Sequence, residues 1–240
     1  MIFDGRKTLV ASLLDPQVGI AYSFSEIKYF NVNFFSGCGK TTWVAQFLRE
    51  KHKQMKNPPK HVILCYEQDQ ELYRIMKEEG LITKMIKPIP PFEELRQIAK
   101  DYKYEDNGSL IIIDDAMKSL EGDDMALLFS QVTHHENTSI FILTQNLFSQ
   151  TSRSLRTLSL NSQYLVLFRF LRDGRMFYTL ANQLRPHNPT PIIEAFASAL
   201  SKSWDYIILD FTPEQSSAVR MRTRIFNYEH PPIVFFENSG

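Results

Sequence analysis

The sequence predicts an α/β fold whose central, mainly parallel β-sheet is flanked by helices, and three observations support this prediction. A glycine-rich loop at residues 36–42 follows a predicted strand and precedes a predicted helix. Four consecutive aliphatic residues at 110–113 are typical of a parallel strand that is covered on both faces. The length of 240 residues fits one α/β domain with extensions better than two small domains.

The glycine-rich loop carries the core of a phosphate-binding pattern. Its residues are Ser36, Gly37, Cys38, Gly39, Lys40, Thr41 and Thr42. The full pattern is G-x-x-x-x-G-K-[ST], in which glycines let consecutive backbone N–H groups turn towards the phosphates of a nucleotide. Lys40 would bind the β- and γ-phosphates, the Thr41 hydroxyl would ligate Mg²⁺, and the dipole of the following helix would attract the phosphates. The loop therefore predicts a nucleotide site with Mg²⁺.

Phe34 is where the loop departs from this pattern, because the first glycine of the pattern falls on this residue. A chance glycine-rich turn is the alternative to a phosphate-binding loop. The context favours the phosphate-binding loop, since residues 31–35 form a plausible strand before it and residues 42–49 have a helical pattern after it. Strand, loop and helix in this order are what the motif requires.

The composition is that of a protein with a full core and no charge bias. Hydrophobic residues make up 43% of the chain. Lysine plus arginine and aspartate plus glutamate each count 27, so contact with nucleic acid must come from local patches. The two cysteines, Cys38 and Cys65, make no disulfide framework, which favours an intracellular setting. No apolar run is long enough to span a membrane, and no signal peptide is evident.

The order of predicted elements divides the chain into an N-terminal extension at 1–28, a P-loop ATPase domain at 29–226 and a C-terminal tail at 227–240. A basic segment at 51–60 is predicted to be a loop because it ends in two prolines. Apolar runs predict strands at 31–35, 61–66, 109–115, 139–143, 164–168, 205–210 and 221–226. Periodicity and helix-start signals predict helices at 42–49, 71–77, 91–102, 125–132, 177–184 and 192–200.

Two adjacent carboxylates, Asp114 and Asp115, follow the aliphatic run at 110–113. Like charges side by side repel, so the pair is unusual for structure alone, although a strand that leaves the sheet through an acidic turn would also produce it. In a P-loop nucleotidase, the Walker B element lies at this position. Asp114 would then hold Mg²⁺ through water, and Asp115 would polarise the attacking water.

Three polar residues, Thr144, Gln145 and Asn146, follow the strand predicted at 139–143. A polar side chain at the end of a strand beside Walker B can sense the γ-phosphate or orient water. An ordinary strand-end amide that is satisfied by its neighbours is the alternative. Because ligands bind at the edge where several parallel strands end, Gln145 and the two carboxylates could lie close together.

Arginines occur in two segments where they could contact phosphate. The loop at 147–162 contains Arg153 and Arg156, and such a loop is a natural place for an arginine that reaches the nucleotide of a neighbouring subunit. A solvated basic loop is the alternative. The last predicted strand carries a stripe of alternating arginines, which could contact phosphate or protect an exposed sheet edge from aggregation. The stripe consists of Arg220, Arg222 and Arg224.

With these features in view, the sequence resembles the viral genome-packaging ATPases of the FtsK–HerA superfamily. The resemblance is to the packaging ATPases of polinton/Maverick-type elements, adintoviruses and related double-stranded DNA viruses, and covers roughly residues 30–226. The last two of the matching stretches are much more specific than any phosphate-binding loop. The stretches are 36–42, 110–117, 134–148 and 156–168.

The resemblance implies a RecA-like core in which one strand separates the Walker A and Walker B strands. It also implies a homo-oligomeric ring, a hexamer, that hydrolyses ATP with Mg²⁺ between subunits. Such a ring drives double-stranded DNA through its centre into a viral capsid, at a vertex or portal in the host nucleus or cytoplasm, with no membrane partner. Gln145 matches the sensor position of the family. Arg156 is the first choice for an arginine that acts in trans, and Arg153 is the second.

The chain also departs from this family, because Phe34 occupies its first loop glycine, Phe35 replaces its usual proline, and the segment before Asn31 fits it poorly. The sequence predicts an ATP-driven DNA translocase. The alternatives are a catalytically impaired nucleotide-binding or structural ring subunit, which Phe34 favours, and a helicase-type motor. The intact Lys40 and carboxylate pair argue against the first, and the two long family stretches argue against the second.

Overall fold

The computed structural model describes residues 9–12, 29–33, 39–114, 132, 135–144, 162–169, 175–212, 221–229 and 233–236. The chain forms two compact units. The larger unit comprises residues 21–165, and the smaller unit combines residues 1–20 with residues 166–240. The division into extension, domain and tail that the sequence suggests remains a prediction.

The elements of the described ranges are named in chain order. The strands are β1 (Leu9–Ser12), β2 (Tyr29–Asn33), β3 (His61–Tyr66), β4 (Lys84–Ile86), β5 (Ser109–Asp114), β6 (Thr138–Thr144), β7 (Tyr164–Phe168), β8 (Tyr206–Asp210), β9 (Met221–Thr223) and β10 (Ile233–Phe236). The helices are α1 (Lys40–Arg49), α2 (Lys51–Gln54), α3 (Glu71–Glu78), α4 (Phe92–Asp101), α5 (Arg175–Leu184) and α6 (Thr190–Ala199), followed by a 3₁₀ turn at Asn227–Glu229.

The larger unit is built on parallel strands in the order β2-β6-β5-β3-β4. Strand β6 thus lies between β2, which precedes the predicted phosphate-binding loop, and β5, which carries the first predicted Walker B carboxylate, and this is the arrangement that the resemblance implied. Asn33 is the register partner of Thr144, and Asp114 is that of Leu143. Because the strands are parallel, β2, β5 and β6 end at the same edge of the sheet, and a ligand is expected at that edge.

Helices cover both faces of this parallel sheet, which confirms the predicted fold class. Helix α4 places its apolar side in one cluster with Ile140 and Ile142 of β6. The intervening residue, Phe141, contacts Phe47 of α1, with the ring centroids 5.4 Å apart. Because successive side chains of a strand point to opposite faces, α1 covers the face opposite to α4. The buried positions of α4 recur at helical spacing, at Phe92, Leu95, Ile98 and Ala99.

Within the described residues, the smaller unit contains three antiparallel strand pairs. Its strands follow the order β1-β10-β9-β8-β7, and the pairs β1/β10, β10/β9 and β9/β8 are antiparallel. Helices α5 and α6 belong to the same unit, and their rings meet where Phe177 packs against Phe196 with centroids 5.3 Å apart. The backbone N–H of Arg169, just after β7, donates to the carbonyl of Asp205, just before β8, at 2.9 Å.

Strands β1 and β10 lie in the segments that the sequence analysis treated as extension and tail. They pair with each other from opposite ends of the chain, with Leu9 opposite Phe236. Each strand has only 4 residues, so neither shows a recognisable alternation on its own. Both segments are strands because they pair in the sheet, β1 with β10 and β10 with β9, and no local sequence pattern reveals these pairings.

The predicted stripe of exposed arginines is wrong for Arg222. Its guanidinium is 5% exposed and donates to the carboxylate of Asp210 at 2.9 Å, so it contacts neither phosphate nor solvent at an edge. Strand β9 ends at Thr223, because Arg224 has a left-handed backbone conformation with φ of 56° and is exposed. Arg220 lies outside the described residues.

Two further differences concern short elements. The basic segment predicted as a loop contains α2, and the sequence analysis did not predict β4, whose 3 residues are too few for a periodic signal. The helix predicted at 125–132 lies outside the described residues except for Val132. Among the helices that the structure describes, none is both long and apolar enough to cross a membrane.

Candidate nucleotide-binding site

The first turn of α1 begins at the edge where the parallel strands end. Gly39 precedes the helix with φ of 95° and ψ of 10°, a left-handed backbone conformation that residues with a Cβ rarely adopt. Its carbonyl accepts the first helical hydrogen bond, from the backbone N–H of Trp43 at 2.8 Å. The N–H groups of the first turn have no partner within a helix, so this helix start suits an anion such as phosphate.

Lys40 is the first residue of this helix. Only 8% of its surface is exposed, which is unusual for a lysine and places the side chain within the fold rather than in solvent. Thr42, two residues later in the same turn, is exposed. A lysine held inward at a helix start has the charge and the position that a phosphate group requires.

Thr41 and Asp114 come together although 73 residues separate them in the chain. The Thr41 hydroxyl donates to Oδ2 of Asp114 at 3.3 Å. Asp114 is 6% exposed and is the last residue of β5. The register of the parallel sheet produces this contact, because it places the end of β5 beside the helix that follows β2. The two residues that the sequence predicts as Mg²⁺ ligands are therefore neighbours.

These two residues fit a hard divalent cation. A threonine hydroxyl and a carboxylate are the oxygen donors that Mg²⁺ prefers, and their separation of 3.3 Å lets both reach one ion or its water shell. No group of three or more His, Cys, Asp or Glu that could hold a metal occurs in the parts of the chain that the structure describes. Mg²⁺ in nucleotide sites commonly has one or two protein ligands and takes the rest from phosphates and water.

A third residue, Tyr73 of α3, contacts the same carboxylate. Its hydroxyl donates to Oδ2 of Asp114. The tyrosine is 2% exposed, and its ring packs against Tyr66 of β3 with centroids 5.0 Å apart. The sequence predicts a short helix at 71–77 and assigns Tyr73 no role. A tyrosine on the apolar side of an amphipathic helix is normally a core residue. The only signal was its hydroxyl, which needs a partner when buried.

An ion pair connects the two helices that carry Thr41 and Tyr73. Arg49 near the end of α1 donates from Nε and one terminal nitrogen to the two carboxylate oxygens of Glu79 at 2.7 and 2.9 Å. Glu79 directly follows α3. This hydrogen bond is the main reason why the pKa of Glu79 lies below its ordinary value. The arrangement joins α1 to α3 at the ends remote from Lys40.

The strand between the two Walker strands ends in a buried threonine. Thr144 of β6 has no exposed surface, and its hydroxyl has no hydrogen-bond partner among the residues that the structure describes. It is the register partner of Asn33 and precedes Gln145. Thr144 is therefore the last described residue before the predicted sensor residue.

The remaining predicted site residues lie outside the described residues, and their roles stay predictions. They belong to the first part of the phosphate-binding loop, the position after Asp114, the position after β6 and the arginine loop. They are Ser36, Gly37, Cys38, Asp115, Gln145, Arg153 and Arg156. Phe34, the departure from the loop pattern, is in the same group.

Cys65 is a core residue of β3 and not part of the site. It is fully buried as a free thiol, and burial raises the pKa of this thiol to about 12, with a smaller contribution from the charge of Glu94. A thiol of this kind stays protonated and unreactive at neutral pH.

Solved structures of viral genome-packaging NTPases share the fold of this chain. The genome packaging NTPase B204 from Sulfolobus turreted icosahedral virus 2, in complex with AMP, is 12% identical, covers 83% of this chain and 98% of its own, and has a TM-score of 0.56. Its complex with ATP-gammaS is 14% identical, with coverages of 78% and 94% and a TM-score of 0.53. B204, the DNA-packaging ATPase from Sulfolobus turreted icosahedral virus, is 13% identical, with coverages of 78% and 93% and a TM-score of 0.54.

No protein-family model and no curated protein sequence matches the chain. At 12–14% identity, the similarity to the solved structures concerns the fold. It extends over most of both chains, and two of those structures hold a nucleotide, AMP or ATP-gammaS. The chain is therefore a structural match to a viral genome-packaging NTPase, with an α/β architecture in which a parallel sheet is flanked by helices.

Proposed function

We propose that the chain is a viral genome-packaging ATPase of the FtsK–HerA superfamily, which hydrolyses ATP to move double-stranded DNA into a capsid. The contact between Thr41 and Asp114 carries this proposal, because it joins the Walker A and Walker B elements at the ligand edge of the sheet. The fold of the packaging NTPase B204 supports it. In this proposal the working form is a homo-oligomeric ring, a hexamer, docked at a capsid vertex or portal.

The phosphate end of ATP binds at the start of α1. Lys40 balances the charge of the β- and γ-phosphates, and the backbone N–H groups of residues 36–41 hold their oxygens. Thr41 and Asp114 would hold Mg²⁺ as its oxygen donors from the protein. Mg²⁺ would supply positive charge at the phosphates as negative charge shifts during transfer. Each of these roles uses a residue type whose chemistry suits a phosphate or a hard cation.

The chemical step is the in-line attack of water on the γ-phosphate: a new P–O bond forms as the bond to the β,γ-bridging oxygen breaks, and ADP leaves with that oxygen. Asp115 orients the attacking water and accepts its proton, and Gln145 senses the γ-phosphate. Arg156, or Arg153 as the second choice, reaches the nucleotide of the neighbouring subunit and stabilises the charge of the transition state. Turnover then depends on the ring, because each site takes one of its residues from the next subunit.

Phe34 favours a second candidate, a catalytically impaired nucleotide-binding or structural ring subunit. A phenylalanine at the first loop glycine places a ring where the pattern has no side chain at all. The burial of Lys40 and the contact between Thr41 and Asp114 support the active enzyme, because these are the residues that the proposal assigns to phosphate and Mg²⁺.

The candidates are distinguished by the rate of ATP hydrolysis, measured with and without double-stranded DNA. The rate is measured for the wild type, Lys40→Ala and Phe34→Gly. Turnover that requires Lys40 and rises with DNA is the expected result. Activity that appears only in Phe34→Gly would instead identify a packaging fold disabled at its phosphate loop. No turnover in any variant would overturn the translocase proposal, and strand separation of a forked duplex would replace it with a helicase.

A further inference from the structure

We propose that Tyr73 is a positioning residue that sets the affinity of the site for Mg²⁺ by holding the carboxylate of Asp114 in one orientation. The inference rests on the proposed function, since it concerns the same metal position. It adds a residue from a different helix, α3, which belongs to neither the phosphate-binding loop nor the Walker B strand.

Two hydroxyl groups converge on one oxygen of Asp114. Tyr73 Oη and Thr41 Oγ1 both donate to Oδ2, from α3 and α1 respectively. A carboxylate has two oxygens that exchange places when the group rotates, and two donors aimed at one of them oppose that rotation. The two hydrogen bonds also keep Oδ2 on the side of the carboxylate that faces Thr41.

The tyrosine itself is held in place on several sides. Its ring is buried, and it packs against the ring of Tyr66 at an interplanar angle of 56°. Tyr66 is the register partner of Asp114 on the neighbouring strand. A tyrosine has few rotatable bonds, so a ring fixed by this packing delivers its hydroxyl to a fixed point. The sheet register and the ring contact therefore aim the hydroxyl at the carboxylate.

The helix that carries Tyr73 is also attached to the helix that carries Thr41. The two hydrogen bonds between Arg49 and Glu79 join α1 to the end of α3. Both donors of Oδ2 thus come from elements that are connected to each other, and the carboxylate lies at their meeting point. Hydrogen bonds of this type to a metal ligand orient it, and their loss typically lowers metal affinity or activity 10- to 100-fold.

A structural role for the same hydrogen bond has a different signature. If Asp114 merely satisfied a buried tyrosine hydroxyl, then removing the hydroxyl would change the stability of the protein and leave the Mg²⁺ dependence unchanged. The Mg²⁺ dependence of nucleotide binding therefore distinguishes a positioning residue from a core residue. This readout needs no turnover.

The test compares Tyr73→Phe with the wild type and with Tyr66→Phe, which removes the hydroxyl of the ring packed against Tyr73. A fluorescent, non-hydrolysable ATP analogue is bound in EDTA and then titrated with MgCl₂. We expect the Mg²⁺ concentration that gives half of the maximal Mg²⁺-dependent increase in nucleotide binding to be about tenfold higher for Tyr73→Phe than for the wild type. Affinity in EDTA should stay within about twofold, because Lys40 and α1 are intact. Tyr66→Phe should match the wild type, because it keeps the ring that packs against Tyr73.

The possible outcomes separate this inference from the proposed function. A Mg²⁺ requirement of Tyr73→Phe that is unchanged or lower would overturn the inference while leaving the nucleotide site in place. A wild type whose nucleotide binding does not respond to Mg²⁺ would overturn the proposed function, and the inference with it.

A second measurement keeps the test valid if the phenylalanine variant does not fold. Replacing Tyr73 with 3-fluorotyrosine keeps both the ring and the hydroxyl, and its ¹⁹F resonance reports on the hydrogen bond. We expect the resonance to shift when MgCl₂ is added to the nucleotide complex, and to stay in place in Asp114→Asn. A resonance that does not move with MgCl₂ in the otherwise wild-type chain would contradict a link between Tyr73 and the metal position.

Discussion

Each of the two units has a strand whose last residue is a buried aspartate. The hydrogen-bond partners of the two aspartates lie at different distances from them along the chain. Asp210 ends β8 and is 2% exposed, whereas Asp114 ends β5 and is 6% exposed. Asp210 accepts from the backbone N–H and hydroxyl of Thr212 at 3.0 and 2.7 Å, and from Arg222, 12 residues away, at 2.9 Å. Asp114 accepts the hydroxyls of Thr41 and Tyr73, which are 73 and 41 residues away.

The same residue type, at the same kind of position, thus has different kinds of partner in the two units. The partners of Asp210 lie two residues after it and on the adjacent strand β9, and a guanidinium balances its charge. Such a network holds two strands together and leaves little for a ligand to add. Among the donors of Asp114 are two neutral hydroxyls, which come from two different helices. A neutral hydroxyl orients a carboxylate without cancelling its charge.

Breaking the Asp210 network should have the largest effect on stability. Arg222→Ala leaves Asp210 as a buried charge without its guanidinium, and we expect the free energy of unfolding to fall by about 3–5 kcal/mol. Urea unfolding followed by circular dichroism measures this. The matched control is Arg224→Asn, at an exposed position two residues later. Asparagine tolerates the left-handed backbone conformation of this position, so we expect the free energy of unfolding to change by no more than about 0.5 kcal/mol. A loss as small as that of the control would show that the pair does not stabilise the fold.

Neutralising Asp114 should affect function rather than stability. For Asp114→Asn we expect turnover of ATP to fall about 100-fold, or about 2.7 kcal/mol in activation free energy, because the charge at the metal position is lost. Stability should change by no more than about 1 kcal/mol, since the amide oxygen still accepts from the hydroxyls. Steady-state kinetics and urea unfolding are measured together.

Asp210→Asn is the matched comparison for Asp114→Asn, because it makes the same change in the other network. It should lower stability through the remaining buried guanidinium, while the turnover of the folded fraction stays close to that of the wild type. The reverse pattern, in which Asp114→Asn unfolds the chain and Asp210→Asn abolishes turnover, would exchange the roles assigned to the two carboxylates.

The ion pair between Arg49 and Glu79 should have the smallest effect. The hydrogen bond from Arg49 lowers the pKa of Glu79 below the ordinary value of 4.5, so its contribution to stability is present above that pH. It is lost as the pH falls through the lower pKa of the folded state. Glu79→Gln should therefore be slightly less stable than the wild type near pH 7, and the difference should disappear in acid.

Urea midpoints measured between about pH 7 and about pH 3 test this dependence, with Glu78→Gln, the neighbouring exposed glutamate, as the control. A difference between Glu79→Gln and the wild type that persists in acid would assign the effect to packing of the side chain rather than to its charge.

The buried strands of the sheet were predictable from sequence. Strands β3 and β7 have the bounds that their apolar runs predict, and β5 differs by one residue at its end. These strands are covered on both faces, so the requirement for apolar residues is continuous along them and local in sequence. Strands β1, β4 and β10, which have 3 or 4 residues each, were not predicted. Strand β9 also has 3 residues, and it was predicted only as part of the longer alternating run at 221–226.

The candidate site divides in the same way. Lys40, Thr41 and Asp114 could be singled out because a motif or a strand end marks each of them by spacing alone. Tyr73 could not, because nothing local distinguishes a tyrosine that donates to a carboxylate from one that fills a core. Arg222 was placed wrongly for a related reason: alternation in a strand predicts which residues share a face but not whether that face is buried.

By itself, the sequence determined the fold class and the candidate phosphate and Mg²⁺ residues, because hydrophobic runs, glycines and motif spacing act over a few neighbouring positions. Only the tertiary structure decided that β1 pairs with β10 and that β6 is the strand between β2 and β5, a separation that the resemblance implied without identifying the strand. It also decided that Asp114 receives two hydroxyls and that Asp210 receives a guanidinium. Such contacts depend on strand order and register, which bring together residues whose separation along the chain leaves no local trace.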